Sequence, residues 1–231
     1  MISVIIPTYN EGLVIRNTIS RVMELGGKFV SEVIVSDGSS SDNTASEARA
    51  AGAKVILANK KGRAAQMNEG AQVASGSILY FLHADSLPPA NFTHEIVEST
   101  RQGYSAGCFR LAFDYDHWFL KTQAWFTRFD IDAFRYGDQS LFVLNDLFKK
   151  CNGFDNSLVV FEDNELIGRL KQIGPFKILA KTIVTSARKY RTNGVFKTQG
   201  VFYFLYILYR LKCSQKTLVS IFKTWLKQDK I

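Results

Sequence analysis

Ser3-Val4-Ile5-Ile6-Pro7-Thr8-Tyr9-Asn10-Glu11 is the stretch that decides the fold. An unbroken apolar run gives way at once to turn residues and a carboxylate. Such a run, with no polar alternation, predicts a strand buried on both faces. The pattern recurs at Val33-Ile34-Val35-Ser36-Asp37-Gly38 and at Ile78-Leu79-Tyr80-Phe81-Leu82-His83-Ala84-Asp85. In an open α/β sheet, ligands bind outside the carboxyl ends of the strands. Glu11, Asp37 and Asp85 are therefore candidates for function as well as for fold.

The segments between these strands have helical spacing. Val14, Ile15, Ile19, Val22 and Met23 mark a helix over about 12–25, and Asp42-Asn43-Thr44 opens another. Lys54–Leu57 reads as a short strand, Gly62–Ala74 as a helix, and Pro88-Pro89 as the opening of a helix to about 102. This alternation argues for a mostly parallel sheet with helices on both faces. The second half is less regular. Ser105–Phe113 reads as a strand, Glu162–Ile173 as a helix and Phe176–Ala180 as a strand, with turns at Gly137-Asp138-Gln139 and Gly153-Phe154-Asp155. Trp118, Thr122, Trp125, Phe126 and Phe129 share one helical face, which reads as core, with an acceptor groove as the alternative.

At 231 residues and 46% hydrophobic, the chain has enough apolar material for one domain plus a short appendage. Cys108, Cys151 and Cys213 are odd in number and far apart, which points to a reducing compartment rather than a disulfide framework. Met1 runs directly into the first strand, so no signal peptide is expected. The net charge of +8 is unevenly placed. Residues 177–231 hold 12 of the 29 Lys+Arg but one of the 21 Asp+Glu, a net +11, against −3 for residues 1–176. Near the end, Leu218, Ile221, Phe222 and Trp225 fall on one helical face and Lys216, Lys223, Lys227 and Lys230 on the other. That is an amphipathic basic helix. It reads as docking to an anionic membrane surface, with self-association through the C-terminal helices as the alternative; nucleic acid is not expected as a partner.

The motifs taken together resemble the family-two, inverting glycosyltransferases of the GT-A fold. The segments Pro7-Thr8-Tyr9-Asn10-Glu11 and Asp37-Gly38-Ser39-Ser40-Ser41-Asp42-Asn43-Thr44 match that family's first two motifs in order and spacing. Gly62-Arg63-Ala64-Ala65-Gln66-Met67-Asn68-Glu69-Gly70 is similar to its Arg- and Asn-containing segment. His83-Ala84-Asp85 sits where the family has Asp-x-Asp, and Glu162-Asp163 matches the pair opening the helix of the catalytic base. The likeness covers roughly residues 2–192. It looks closest to a small bacterial subfamily of uncertain substrate, a match that extends to Ser186-Ala187-Arg188-Lys189-Tyr190. Two departures stand out: His83 replaces the first Asp of Asp-x-Asp, and Gly38 replaces a second Asp.

The resemblance implies a catalytic domain over residues 1–194, a Rossmann-like nucleotide-sugar fold, and basic C-terminal helices over 195–231. It implies a UDP-linked sugar donor, contacted by Pro7, Thr8, Tyr9, Glu11, Asp37, Arg63 and Asn68. Asp85 would bind Mg2+ or Mn2+ at the diphosphate. Asp163, beside Glu162, would act as general base on an acceptor hydroxyl. Asp138 and Gln139 would touch the acceptor, expected to be a lipid or lipid-linked molecule at the inner face of the cell membrane. Two alternatives are a non-catalytic membrane-associated protein that keeps the fold, motivated by the altered Asp-x-Asp, and a sugar-phosphate nucleotidyltransferase. The Gly-rich, Arg-containing loop that marks the latter after the first strand is replaced here by Pro7-Thr8-Tyr9-Asn10-Glu11. A dinucleotide dehydrogenase is disfavoured because no Gly-x-Gly-x-x-Gly follows an early strand.

Overall fold

The computed structural model describes residues 1–135 and 137–227. Lys230, one of the lysines assigned to the basic face of the tail, lies outside them. Strand β1 (Ile2–Thr8) is flanked in parallel by β2 (Val30–Asp37) and β4 (Ile78–Phe81), and β3 (Lys54–Leu57) extends the parallel set beyond β2. Four further strands are β5 (Ser86–Leu87), β6 (Ala106–Phe113), β7 (Leu141–Leu144) and β8 (Phe176–Thr185). The sheet order is β3-β2-β1-β4-β7-β6-β8-β5. β7 runs antiparallel between β4 and β6, while β8 runs parallel to β6. The parallel half is thus joined through one reversed strand to a second, curled half. Pro7 is tolerated in central β1 because pairing with β4 stops at Ile5↔Phe81, before its missing N–H matters.

Alternate side chains of β1 point to opposite faces of the sheet. Ile2, Val4 and Ile6 join Ile15, Ile19 and Val22 of α1 (Ile15–Gly26) and Phe92 and Ile96 of α4 (Phe92–Arg101). Ile5 faces the other layer, with Met67 and Ala71 of α3 (Arg63–Gln72). Phe148 of α6 (Asn145–Lys150) and Leu166, Ile167 and Leu170 of α7 (Glu162–Ile173) complete that layer. The helix α2 (Thr44–Ala50) packs beside β3, and α5 (Trp118–Phe126) beside β6.

Some elements differ from the sequence reading. The helix expected from Pro88-Pro89 begins at Phe92, after Asn91 takes a left-handed conformation with φ 61°. β7 and α6 carry no periodic signal, since each is a single short run. The aromatic face of α5 is not core: Trp118, Trp125 and Phe129 are 66%, 46% and 42% exposed. These rings pack on one another and on Phe196 instead.

The tail folds as α8 (Arg188–Asn193), α9 (Val195–Arg210) and α10 (Gln215–Trp225). Its apolar stripe is spent within the molecule. Leu218 and Phe222 pack with Val201 and Leu205 of α9 and with Val160 and Phe161 of the loop before α7. Trp225 remains 46% exposed and stacks on Phe204 at 5.4 Å. Gln215 clasps that loop: its Oε1 accepts from Val159 N at 3.0 Å and Val160 N at 3.2 Å. No helix among the described residues is long and apolar enough to cross a membrane.

Gly107 marks the tightest point of the curled half. A Cβ there would stand 2.3 Å from Lys177 O and 2.6 Å from the Phe142 ring. Gly107→Ala should therefore destabilise the protein by ~2 kcal/mol or more, as overpacking against a backbone that cannot give way. A denaturant midpoint equal to wild type would contradict this packing.

Candidate active site

Strand order brings the carboxyl ends of β2, β1 and β4 side by side, and the site is built on them. Asp37, last in β2, is 1% exposed. It accepts from Thr8 Oγ1 at 3.0 Å, Ser40 N at 3.0 Å and Ser40 Oγ at 2.6 Å. Asn10, with φ 53°, turns the chain and accepts from Ser41 N at 2.9 Å. Asp42 accepts from Gly12 N at 3.0 Å and Thr44 N at 3.0 Å, so it ties the loops after β1 and β2 together. Tyr9 stands 38% exposed at the rim, whereas Pro7 is buried.

Gln66 explains one departure from the family pattern. Its Nε2 donates to Thr8 O at 2.6 Å and Ser36 O at 3.2 Å. A Cβ on Gly38 would lie 2.4 Å from that nitrogen. The second Asp of the family has no room while Gln66 bridges β1 and β2.

His83 explains the other. Its Nδ1 lies 2.6 Å from Asp138 Oδ1. Burial pulls the imidazole pKa down, but the hydrogen bond and charge of Asp138 outweigh burial and leave it raised. Asp138 in turn drops to about 2: burial raises it, and His83, Lys189 and Arg63 more than offset that. The imidazole is thus matched to a carboxylate from the other half of the sheet. Asp85 is pushed up by burial first and then by the charges of Asp138 and Glu11, with His83 and Arg188 opposing. Arg188 Nη2 lies 3.4 Å from Glu11 Oε1 and 3.6 Å from Asp85 Oδ2. Glu11 and Asp85 are therefore neighbours across this guanidinium.

Glu162 and Asp163 open α7, where carboxylates favour the helix dipole. Glu162 is fully buried and paired with Arg63 of α3. Asp163 is 6% exposed. Burial, then the charge of Glu162, raises its pKa to about 6 against the pull of Arg63 and His83. Gly137 lets the neighbouring loop come close: a Cβ there would be 2.1 Å from Asp163 Oδ2 and 3.4 Å from His83 Cε1. Asp163, His83 and Asp138 therefore belong to one cluster.

The candidates do not all face this cluster. Arg63 is held by Glu162, although 39% of its side chain is exposed. Asn68 pins a turn, donating to Phe154 O at 2.8 Å and accepting from Phe154 N at 2.9 Å, so it is not placed as a nucleotide contact. Gln139 is 1% exposed and donates to Phe109 O at 3.0 Å, which makes it a brace under the loop rather than an acceptor contact. Arg188, Lys189 and His83 are the residues that sequence reasoning left without roles. The basic Ser186–Tyr190 segment is visible in the sequence, but not that β8 pairs with β5 and so brings it to Asp85, where Ser186 N donates to Asp85 O at 3.2 Å.

A divalent cation fits the chemistry of Asp85. Among the described residues no three His, Cys, Asp or Glu side chains form a ready-made cage. Yet Asp85 is a hard oxygen ligand whose own charge is opposed by Asp138 and Glu11. Mg2+ in particular is often held by one or two carboxylates with phosphates and water.

Asp163 should carry a stability signature. The unfolded chain ionises it near the ordinary 3.8, whereas the fold holds the proton to about 6. Stability is thus lost as pH rises between those values, and the loss is complete above them. Asp163→Asn should stabilise the protein at pH 8, on the order of 2–3 kcal/mol, and change little at pH 3.5. Equal melting shifts at both pH values would contradict a raised Asp163.

Solved structures of similar shape include a mannosyltransferase and two 3-phosphoglycerate synthases. A mannosyltransferase from Pyrobaculum calidifontis, in complex with GDP-Man and Mn2+, aligns with a TM-score of 0.68 and 17% identity over 88% of this chain. This chain spans 61% of that protein's length. Glucosyl-3-phosphoglycerate synthase from Mycobacterium tuberculosis, with Mn2+, UDP and phosphoglyceric acid, gives 0.61 and 18% identity over 91% of this chain and 78% of its own. Mannosyl-3-phosphoglycerate synthase from Rubrobacter xylanophilus gives 0.61 and 17% over 94% and 75%. No curated protein sequence matches. At these identities the likeness speaks for the fold, which is GT-A. The model of glycosyl transferase family 2 matches residues 3–160, more than half of the sequence, and the chain belongs to that family.

Proposed function

We propose that this protein is an inverting glycosyltransferase that moves a sugar from a UDP-linked donor to an acceptor hydroxyl. One observation carries the reading: Asp163, buried and poised near pH 6, shares a cluster with His83 and Asp138 beside the strand-end carboxylates. A general base works best with a pKa near the operating pH. Mn2+ in both relatives, with GDP-Man in one and UDP in the other, supports a nucleoside-diphosphate donor.

Asp37, with Thr8 and Ser40 orienting it, offers carboxylate oxygens to the nucleoside. Tyr9 lies at the rim where a base can stack. Asp85, with Glu11 as neighbour, would hold Mg2+ or Mn2+, which when bound would neutralise the diphosphate. Arg188 is the chain's own cation at the same place, and its fork suits phosphate oxygens. Asp163 takes the proton of the acceptor hydroxyl. That oxygen forms a bond to the anomeric carbon as the carbon–oxygen bond to the diphosphate breaks from the opposite face. The nucleoside diphosphate leaves, and a single displacement inverts the configuration. The Asp138–His83 pair acts on Asp163 in both senses, His83 lowering its pKa and Asp138 raising it.

Transfer should rise with pH through about 6 and level off above it, because Asp163 must be ionised. Asp163→Asn should cut turnover by roughly 10²–10⁴-fold and leave UDP binding in place. Retained turnover would remove Asp163 as the base. In titration calorimetry, UDP should bind more tightly with Mn2+ present, and Asp85→Ala should abolish that difference. If UDP binds neither with nor without the metal, the donor assignment falls.

A further inference from the structure

The pocket beside Asp163 is walled by the tail, beyond the residues the family match covers. Its volume is about 160 Å³, close to the ~150 Å³ of a cavity that takes one benzene ring. Arg63, Asp138 and Asp163 contribute polar atoms from the catalytic cluster. The walls are rings: Phe161 from the loop before α7, Phe202, Tyr203 and Tyr206 from α9, and Phe222 from α10. These rings are held in place. Phe202 stacks on Phe222 at 6.0 Å, Phe161 meets Tyr206 at 5.9 Å, and the Tyr203 hydroxyl donates to Gln123.

Aromatic walls of this kind bury an apolar body and fix the plane of a ring. Charge at the pocket is specific too. Arg63 is paired with Glu162 and Arg135 with Asp130. Lys189 also lines the pocket, with Nζ 5.2 Å from the centre of the Phe222 ring. It enters no ion pair among the described residues and feels Asp138 at longer range. An ammonium beside aromatic walls gains from an anionic partner on a bound ligand.

We infer that this pocket is the acceptor site, and that it takes a small hydroxylated ring compound bearing an anionic group. The ring lies among Phe202, Tyr206 and Phe222, the anion meets Lys189, and the hydroxyl is presented to Asp163. The inference rests on the reading of Asp163 as general base. The tail helices then share acceptor specificity with the loops between β6 and α7 that carry Asp138 and Phe161.

Binding to the full-length protein, followed by saturation-transfer NMR and calorimetry, tests the class with four probes. They are 4-hydroxybenzoate, its neutral analogue 4-hydroxybenzamide, 3-phosphoglycerate and farnesyl phosphate. The hydroxybenzoate should bind, and the benzamide should bind about tenfold more weakly or worse. Lys189→Gln should erase that difference, Lys189→Arg should keep it, and Tyr206→Ala should weaken both ring compounds. Equal binding of acid and amide, or a preference unmoved by Lys189→Gln, would overturn the anion contact. Binding of 3-phosphoglycerate or farnesyl phosphate without the ring acid would overturn the class. So would UDP binding with no ring compound bound. Asp37→Asn should lose UDP and keep the ring acid. If wild type binds the ring acid but not UDP, the donor reading fails while the pocket stands.

Discussion

The ion pair between Arg63 and Glu162 is the constraint on which the rest of the site depends. It joins the first turn of α3, in the parallel half, to the first turn of α7, in the curled half. Glu162 has no access to solvent, so its charge is tolerable only with a partner in place. Losing Arg63 would strand a buried carboxylate, a change that costs ~3–5 kcal/mol in comparable cases. The same pair fixes where Asp163 stands, because the two acids are adjacent on one helical turn. The strand-end carboxylates of β1, β2 and β4 and the acids that open α7 thus share one register.

The two departures from the family pattern are compensated, not simply missing. Gly38 makes room for a Gln66 amide that staples β1 to β2 from the helix above them. His83 gives up a carboxylate at the end of β4, and Asp138 returns one from across the sheet. The net effect is a site with fewer strand-borne acids and more coupling between its halves. Arg188 adds to that coupling by facing Glu11 and Asp85 at once.

The parallel half of the fold was legible because its strands are unbroken apolar runs and its helices are amphipathic. Glu162–Ile173 and Lys54–Leu57 come out with the bounds that periodicity gives them. β7 and α6 were not legible, since four apolar residues followed by six mixed ones carry no period. The candidate site was legible in kind but not in partnership. Asp37, Asp85 and Asp163 all sit at element ends, which local sequence can mark. That Asn68 braces a turn, that Gln139 lies under a loop and that His83 meets Asp138 are facts of sheet order, with partners 55 or more residues away in two of the three cases. The tail is the part whose role its sequence marks least. Its amphipathic period marks a helix, but period alone does not say whether an apolar face meets a lipid or the protein's own α9.

The clasp made by Gln215 alters how this molecule should be thought of as a set of parts. One side chain at the start of α10 satisfies the backbone N–H groups of Val159 and Val160, two residues before Glu162. α10 is therefore hydrogen-bonded into the entrance of α7, not hung beyond it. Melting of the tail and loosening of the site become one cooperative event. For anyone dividing the chain for grafting or recombination, a cut at residue 194 would take from Val159 and Val160 the Gln215 side chain that their N–H groups bond.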